Sequence, residues 1–484
     1  MTVGFYAVWG LATVAGLVLI TGSVYRLQRA RYRLRPLSKG QAGLYLLMLG
    51  VCGALCALGQ WFCLPLLWIC IGILPPLVMA VMTLALKRFP RLTARPVRLT
   101  IASVFVYLCL TVTLTVFELF AWSPLLATAC PLLVRAVALP LGRWEERHNR
   151  RFVAKMKAKL ASSGAITVGI TGSAGKTTVK NLLTAVLGER AYPSHGNYNT
   201  PMGLALSIKD MPPHTRYFVA EMGISHPGDM QALLDVVHPY LGILTNVLPQ
   251  HTLTAGGVEE ILAHKRQMLL ASKVAIAPAG LDVARAALTV GEGGDWSAED
   301  VVLHLDHTSF VAVHEGRRYP VTLPLLGRAC VLDALFAFAA GVTLGVEPSL
   351  AASRLSRVER VPHRMQLTPN DRGITIIDDS YNLNIEGVKS AMEYLSLYSG
   401  RKVVTVSGIA ESDPSLRLNE RLGEIVSGAD VVILVGERYR APLLRGIRQG
   451  TLVHFAEDTP ATVKLYQKLL RTGDVLLILA DMPK

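Results

Sequence analysis

Apolar residues are concentrated before residue 142 of this chain, and they restrict its fold more than any other feature. Hydrophobic residues make up 51% of the 484 positions. Five apolar spans are predicted, at residues 3–25, 42–60, 64–86, 100–121 and 123–141. The first four are long enough to cross a hydrocarbon core of about 30 Å. The fifth carries Pro131, Arg135 and Pro140 and is either a full span or a re-entrant one. We therefore predict an α-helical membrane domain over residues 1–142.

Basic residues predict how these spans are oriented. Arginine and lysine cluster after the first span (Arg26–Lys39) and after the third (Lys87–Arg98), whereas the turns opposite, 59–65 and 122–124, carry no charge. Because basic loops stay in the cytoplasm, the pattern places everything after Arg143 there, in a multi-pass protein of the cytoplasmic (inner) membrane. The net charge of +14 is then mostly lysine and arginine facing anionic lipid. No basic patch with interleaved aromatic residues indicates nucleic acid as a partner.

Alternating strand and helix patterns follow a basic linker helix, which we predict over residues 143–163. Between 164 and 363 short β-branched runs at 165–170, 216–221, 241–245 and 273–277 alternate with helical periods, which favours a parallel sheet covered by helices. A second, smaller α/β pattern occupies residues 364–484. Both predicted domains therefore belong to the α/β class. Six of the seven cysteines lie in the predicted membrane domain, and they form no disulfide or zinc pattern.

A glycine-rich turn separates the first strand from the helix that follows. It reads Gly172-Ser173-Ala174-Gly175-Lys176-Thr177-Thr178. Two glycines allow a backbone so tight that several N–H groups point at one anion, and the helix adds the positive end of its dipole. Lys176 is placed to reach the β- and γ-phosphates, and Thr177 offers a hydroxyl to Mg²⁺. With only two residues between the glycines, this is a shortened phosphate loop that predicts a nucleotide site.

Polar residues at the ends of the next strands are candidates for the same site. Glu221 ends one strand, Thr245 and Asn246 end another, and His251 and Lys265 follow. Carboxylate and imidazole groups at the carboxyl edge of a parallel sheet are well placed beside a phosphate loop and suit Mg²⁺ or Mn²⁺.

The order of these motifs resembles the Mur ligase family. The motifs are the phosphate loop, Gly196-Asn-Tyr-Asn-Thr-Pro-Met-Gly203, Glu221-Met-Gly223, Thr245-Asn-Val247 with His251, Lys265, Pro362-His-Arg-Met365 and Ile377-Asp-Asp-Ser-Tyr-Asn-Leu-Asn384. They span about two-thirds of the chain and are most similar to the MurF branch. The resemblance implies a central P-loop domain, a Rossmann-like C-terminal domain, and ATP-dependent formation of an amide through an acyl phosphate during cell-wall (peptidoglycan) biogenesis.

The resemblance also implies roles for individual residues. Gly172 to Thr178 hold the phosphates of ATP, with Lys176 in a catalytic role. Thr177, Glu221 and His251 hold Mg²⁺, and Lys265 is carbamylated. Arg364 contacts the γ-phosphate and Asp379 the ribose, while the acceptor side is formed by Asn199, Tyr381 and Asn382.

Three departures from the family pattern limit the substrates and ligand contacts that the resemblance implies. Membrane spans stand where relatives carry a domain that binds a UDP-sugar. Gly327-Arg-Ala-Cys-Val-Leu-Asp333 lacks both asparagines of the usual Gly-Arg-His-Asn-x-x-Asn segment, so adenine recognition is not implied. Ala480-Asp-Met-Pro-Lys484 replaces a C-terminal Lys-Gly-Ser. Neither the identity of the amine nor that of the carboxylate acceptor therefore follows from the resemblance.

The expectation is a membrane-anchored, ATP- and Mg²⁺-dependent ligase that joins an amino acid or short peptide to a cell-envelope precursor. The acceptor is either lipid-linked or soluble, and the spans either bind lipid or bind a membrane protein partner. Two alternatives stay open. One is a ligase resembling poly-γ-glutamate synthases, which the Asp-Asp-Ser-Tyr-Asn motif disfavours. The other is a non-catalytic nucleotide-binding scaffold, which Lys176, Glu221, His251 and Lys265 disfavour.

Overall fold

A computed structural model describes most of the chain, and it divides into two compact units, residues 1–150 and 151–484. The described residues are 2–29, 32, 39–62, 94–119, 122–224, 226–248, 258–283, 287–360, 362–368, 370–381, 383–409 and 417–480. The predicted third span at 64–86, together with His251 and Asn382, lies outside them.

Helices account for the described part of the first unit. They are α1 (Thr2–Arg29), α2 (Lys39–Phe62), α3 (Ala94–Val116) and α4 (Ser123–Ser163), the last of which continues into the second unit. Among the described helices, three are long and apolar enough to cross a membrane: Trp9–Arg29, Ala94–Val116 and Ser123–Ser163. The residues predicted as a fifth span and as a linker helix thus form one helix, which contains Pro131 and Pro140. Glu118 lies beyond the end of α3 in an exposed turn.

Close packing joins α1 to α3. The Tyr107 side chain is fully buried and donates a hydrogen bond to the Ala12 carbonyl oxygen at 3.1 Å. A Cβ atom on Gly16 would lie 2.2 Å from the Tyr107 hydroxyl, so this approach requires glycine. Leu19, Ile20 and Val134 are buried in the same cluster. Small residues that let backbones approach are typical of helix pairs in membranes.

A nine-stranded sheet forms the first layer of the second unit. Its strands are β1 (Ile166–Thr171), β2 (Ala191–Pro193), β3 (Tyr217–Glu221), β4 (Leu241–Leu244), β5 (Val274–Pro278), β6 (Leu288–Val290), β7 (Trp296–Leu303), β8 (Thr308–His314) and β9 (Arg317–Leu323). The order is β2-β3-β1-β4-β5-β6-β7-β8-β9. Pairing is parallel as far as β7, as predicted, but β7, β8 and β9 form an antiparallel meander that the sequence patterns did not indicate.

Helices cover both faces of this sheet. They are α5 (Lys176–Leu187), α6 (Pro201–Asp210), α7 (Asp229–Leu234), α8 (Val258–Ala271), α9 (Ala329–Thr343) and α10 (Pro348–Leu355). One core packs α5, α9 and α10 on the sheet, and the other contains residues of α6, α7 and α8 with Met156 and Leu160 from the end of α4. β1 has near-complete burial, which is the pattern of a central parallel strand.

A six-stranded sheet forms the rest of the unit. Its strands are β10 (Gln366–Thr368), β11 (Thr375–Asp378), β12 (Lys402–Val406), β13 (Val431–Val435), β14 (Leu452–Ala456) and β15 (Val475–Leu479), in the order β10-β11-β15-β12-β13-β14. The helices are α11 (Ile385–Leu395), α12 (Leu418–Val426), α13 (Arg440–Gly446) and α14 (Thr459–Leu469). Only β10 pairs antiparallel. The predicted α/β class is confirmed for both parts, whereas the domain boundaries at 142, 163 and 363 stay predictions.

Candidate active site

The glycine-rich turn lies between the end of β1 and the first residue of α5. Gly172 and Gly175 both have positive φ values, 153° and 80°. A Cβ atom on Gly172 would lie 1.9 Å from Thr245 Oγ1, and one on Gly175 would lie 2.3 Å from Asp333 Oδ1. Both positions therefore require glycine, because their φ values are positive and because a Cβ atom would have no room.

Asn246 holds this loop from the end of β4. Its side-chain oxygen accepts hydrogen bonds from the backbone N–H groups of Ser173 at 3.0 Å and Ala174 at 2.8 Å. Next to it, Thr245 Oγ1 donates to the Ala174 carbonyl oxygen at 2.6 Å. The sequence indicated both residues as candidates for the site but gave them no role there. The structure shows that they fix the geometry of the loop.

Lys176 turns back over the loop that precedes it. Its Nζ donates to the carbonyl oxygens of Gly172 at 2.8 Å and Ser173 at 3.4 Å. Burial lowers the pKa of this lysine, Glu221 opposes that shift and Arg364 adds to it. The Lys176 amine thus lies against the phosphate loop, as expected of a phosphate-binding lysine.

Three of the predicted residues meet at the Glu221 carboxylate, which is only 2% exposed. Thr177 Oγ1 donates to Glu221 Oε2 at 2.8 Å. Asn199 Nδ2 donates to the other oxygen, Oε1, at 3.4 Å. A hydroxyl and a carboxylate in contact are the kind of oxygen ligands that Mg²⁺ takes, so these residues fit the predicted metal. The described residues contain no group of three or more His, Cys, Asp or Glu side chains that could hold a metal.

Lys180 was not predicted and lies in the same cluster. Its Nζ lies 3.5 Å from Glu221 Oε2 and donates to the carbonyl oxygens of Ser194, at 3.0 Å, and Gly196. The side chain is buried, and burial lowers the pKa of the ammonium group although Glu221 opposes this. It is one helical turn after Lys176 on α5, and this spacing was the signal that could have identified it.

Lys265 reaches the phosphate loop from α8. Its Nζ donates to Ser173 Oγ at 2.7 Å, and the residue is 2% exposed. Burial, helped by the charge of Lys176, lowers the pKa of Lys265 to about 7. Near neutral pH a large fraction of this amine is therefore uncharged, as reaction with CO₂ requires.

Arg364 and Asp379 approach from the second sheet. The Arg364 guanidinium lies over the Tyr381 ring, 4.4 Å from its centroid, and its Nε is buried with no hydrogen-bond partner among the described residues. Asp379 Oδ1 accepts from the Met365 backbone N–H at 3.2 Å. Burial raises the pKa of Asp379 to about 7, and Arg364 opposes the shift. His363 and Met365, which flank Arg364, both have positive φ, so this turn is strained.

A cavity of about 580 Å³ lies beside the phosphate loop, Arg364 and Asp379. Its lining includes Gly175 and Thr178 from the phosphate loop, and Arg364 and Asp379 from the opposite side. A volume of this size accommodates a nucleotide-sized ligand. The cavity therefore joins the predicted phosphate site to the predicted ribose contact.

Asp333 lines the same cavity at the start of α9. Burial raises the pKa of its carboxyl group to about 7, while Arg364 and a hydrogen bond from Thr178 oppose the shift. Nearby, Cys330 Sγ donates to the Gly327 carbonyl oxygen at 3.0 Å, and burial raises the pKa of this thiol to about 12. Residues 327–333, called the α9 wall below, thus present a titratable carboxyl group where the family pattern has an amide.

Comparison with known proteins decides the family. The profile of the Mur ligase middle domain matches residues 170–341, and that of the Mur ligase glutamate ligase domain matches residues 363–482. The UDP-N-acetylmuramoyl-tripeptide–D-alanyl-D-alanine ligase of Bacillus subtilis is 30% identical over 67% of this chain and 75% of its own length. The chain belongs to the Mur ligase family. The predicted enzyme class, an ATP-dependent ligase that forms C–N bonds, is confirmed with it.

Solved structures agree with this membership. The MurF ligase of Thermotoga maritima in complex with ADP has a TM-score of 0.62 and 26% identity, covering 69% of this chain and 80% of that one. MurF from Acinetobacter baumannii, at 23% identity, has a TM-score of 0.63 with coverage of 69% and 78%, and shows the same fold. The residues before 170 lie outside both family profiles.

Proposed function

We propose that this chain is a MurF-type ligase, anchored in the membrane, that uses ATP and Mg²⁺ to join an amino acid or short peptide to a carboxylate of a cell-envelope precursor. The observation that carries the proposal is the cavity of about 580 Å³, which has the phosphate loop on one side and Arg364 with Asp379 on the other. Among the described residues, every charged group that the chemistry needs lies beside this cavity or contacts the phosphate loop or its neighbours.

The first half-reaction transfers a phosphoryl group to the acceptor. A carboxylate oxygen of the acceptor forms a bond to the γ-phosphorus of ATP as the bond to the leaving ADP oxygen breaks. Lys176 and Arg364 neutralise the charge on the transferring group, and Asn246, which accepts from the Ser173 and Ala174 N–H groups, holds the conformation of the loop beside the phosphates. Asp379, on the Arg364 side, is assigned to the ribose.

Thr177 and Glu221 are assigned to Mg²⁺, with His251, outside the described residues, as a third ligand. When bound, Mg²⁺ supplies further charge neutralisation at the phosphates. Lys180 balances the charge of Glu221 in its absence, since its Nζ lies 3.5 Å from the carboxylate. Carbamylation of Lys265 gives a carboxylate next to Ser173, close to the same phosphates.

The second half-reaction forms the amide. The amine attacks the acyl carbon of the acyl phosphate, phosphate leaves with its bonding electrons, and the nitrogen loses a proton. Asn199, Tyr381 and Asn382 are assigned to the acceptor side. The position of Asn199 supports its assignment. Its side-chain amide contacts Glu221, and a side chain on Gly223 would clash with that amide.

Membrane placement is the other part of the proposal. It rests on the three described helices that are long and apolar enough to span and on the basic residues at one end of each. By the positive-inside rule the ligase unit then faces the cytoplasm, where ATP is available. The partners we propose are a cell-envelope precursor, lipid-linked or soluble, an amino acid or peptide donor, and membrane lipid or a membrane protein.

Substrate-dependent turnover tests the enzyme. Purified full-length chain is incubated with ATP, Mg²⁺, D-alanyl-D-alanine and an acceptor. The acceptor is either a UDP-N-acetylmuramoyl tripeptide, as in the names of the relatives, or a polyprenyl-linked tripeptide. Phosphate release that requires both acceptor and amine, with the ligated product found by mass spectrometry, supports the proposal. Glu221→Gln should raise the Mg²⁺ concentration needed, whereas Glu437→Gln, on an exposed turn, should not. No product with any acceptor would favour the scaffold alternative.

A further inference from the structure

A second cavity, of about 280 Å³, lies inside the unit of residues 1–150. Its lining includes Leu27 near the end of α1, Arg95 in the first turn of α3, and α4 from Ala138 to Glu146. At each of these three places the sequence changes from apolar to basic. The cavity therefore lies at the level where the three candidate spans leave the hydrocarbon core, which is the level of lipid headgroups.

Arginine side chains surround one buried carboxylate at this cavity. Glu145 is buried, and its oxygens pair with Arg95 Nε at 2.9 Å and Arg98 Nη2 at 2.7 Å. Arg143 lines the cavity as well. The other lining carboxylate, Glu146, lies 3.7 Å from Arg150. Four arginines against two glutamates leave the cluster positively charged.

Arg95 has more donor groups than the one that binds Glu145. Its guanidinium carries five N–H donors, it uses Nε for Glu145, and the residue lines the cavity. The same guanidinium lies over the Tyr32 ring, 4.2 Å from its centroid. The Tyr32 hydroxyl is buried and has no hydrogen-bond partner among the residues that the structure describes.

Burial raises the pKa of Tyr32, so the hydroxyl stays a neutral donor at physiological pH. Ion pairs that merely fasten helices together would explain the two bonds to Glu145. They explain neither the cavity nor a buried hydroxyl without an acceptor, which is a costly arrangement. A ligand made of acceptor oxygens explains both, because guanidinium groups and hydroxyls bind phosphate through several hydrogen bonds.

We propose that this cavity binds the phosphate or diphosphate group of a lipid headgroup that carries a net negative charge. The lipid source follows from position: Val97, Ile101 and Leu139, near the cavity in sequence, are exposed apolar side chains suited to contact with lipid chains. The inference rests on the proposed membrane placement. It names a class of lipid that includes polyprenyl-linked acceptors, and it requires no ligase activity.

Lipid binding by full-length variants tests the proposal. Native mass spectrometry of the detergent-solubilised chain measures binding of phosphatidic acid, with phosphatidylcholine and inorganic phosphate as comparison probes. Tyr32→Phe removes a single atom and should weaken binding of phosphatidic acid about tenfold. Arg95→Gln should weaken it at least as much. Tyr25→Phe is the matched control, since Tyr25 lies beneath Arg29 on α1 and does not line the cavity.

Three results would overturn it. They are undiminished binding by Tyr32→Phe, equal binding of phosphatidylcholine, and displacement of the lipid by an equal concentration of inorganic phosphate, which would identify a site for free phosphate. Failure of the proposed function is recognised separately. If the membrane placement is wrong, the chain is released from membranes without detergent. If the chain is not a ligase, its ATP turnover does not depend on acceptor or amine.

Discussion

The phosphate loop and the α9 wall border the same cavity but differ in how they relate to the family pattern. The loop matches that pattern and is held by neighbours on three elements, through Asn246, Glu221 and Lys265. The α9 wall departs from it, with Ala329, Cys330 and Asp333 in place of the usual histidine and asparagines. The residues that we propose handle the phosphoryl group therefore keep the sequence pattern of the family, while the α9 wall departs from it.

This difference separates two kinds of constraint. A residue in the loop is fixed by several partners at once, since a Cβ on Gly175 would collide with Asp333 and one on Gly172 with Thr245. On the α9 wall, Arg328 pairs with Glu393 at 2.9 Å through two half-exposed side chains. Such a pair is screened by solvent and constrains little. The wall can therefore change its chemistry without disturbing the loop.

The largest effect is expected in the loop. Lys176→Ala should lower turnover about a thousandfold or more, because a cation next to the transferring phosphoryl group is lost. Initial rates of ADP release by the full-length chain measure this. Lys468→Ala, on the exposed side of α14, is the matched control and should retain the parent rate. Turnover by Lys176→Ala within about tenfold of the parent would contradict the assignment of the loop.

Lys265 should respond to bicarbonate. Lys265→Ala should lower turnover about a hundredfold, since a carboxylate beside the phosphates is lost, and a small carboxylic acid should restore part of it. The pKa of about 7 sets the sign: above it the amine is uncharged and reacts with CO₂, and below it protonation blocks the reaction. NMR with isotopically labelled bicarbonate should therefore show a carbamate that grows as the pH rises through about 7.

The matched experiment uses Lys273→Ala, in which a lysine near the same sheet is removed. In the parent, the Lys273 ammonium group lies over the Tyr240 ring, away from the loop, so its removal should change neither turnover nor the carbamate signal. An equal carbamate signal from Lys265→Ala would show that a different lysine carries the modification.

Asp333 should make nucleotide binding depend on pH. Its folded-state pKa of about 7 means that the carboxyl becomes an anion as the pH rises through that value. An anion next to Gly175 and Thr178 repels phosphate, so ATP affinity should fall as the pH rises, and Asp333→Asn should bind ATP about tenfold tighter at alkaline pH. Titration calorimetry of both proteins measures the difference. Asp371→Asn, exposed on a turn, is the control.

A pH dependence that survives in Asp333→Asn would assign it to Asp379 or to Lys265, whose pKa values are also about 7. The double variants with Asp379→Asn and Lys265→Ala distinguish these two. The same shift has a consequence for stability. Both carboxyl groups bind protons more tightly in the folded state than in the unfolded one, so they cost stability as the pH rises from about 4 to about 7.

The smallest effect is expected at the edge of the wall. Arg328→Gln breaks the pair with Glu393 and should lower the free energy of unfolding by less than about 1 kcal/mol, because both side chains are half-exposed. Thermal unfolding of the ligand-free chain measures this. The hydrogen bond from the Ala329 N–H to Ser390 Oγ, at 2.9 Å, remains and keeps α9 against α11. A larger loss would mean that the wall is as constrained as the loop.

Local pattern predicted much of the fold and part of the site. Alternation of β-branched residues and helical periods located β1, β3, β4 and β5 to within about a residue, since these periods depend on neighbours in the chain. The short parallel strands β2 and β6 were not predicted. The antiparallel meander of β7, β8 and β9 was missed, as its strands are mixed in burial and resemble surface loops. On the site, Lys180 was missed. Its place one helical turn after Lys176 was a signal, but the sequence does not show that its side chain is buried.

The sequence by itself determined the groups and their order: a glycine turn after a buried strand, Glu221 and Asn246 at strand ends, and Asp333 where an amide is usual. These follow from φ preferences and residue chemistry, which are local. The tertiary structure alone decided which groups meet, because contacts such as that between Asp333 and Gly175 join residues more than a hundred positions apart. Burial by those contacts, rather than the residue types, brings Lys265, Asp333 and Asp379 to pKa values near 7.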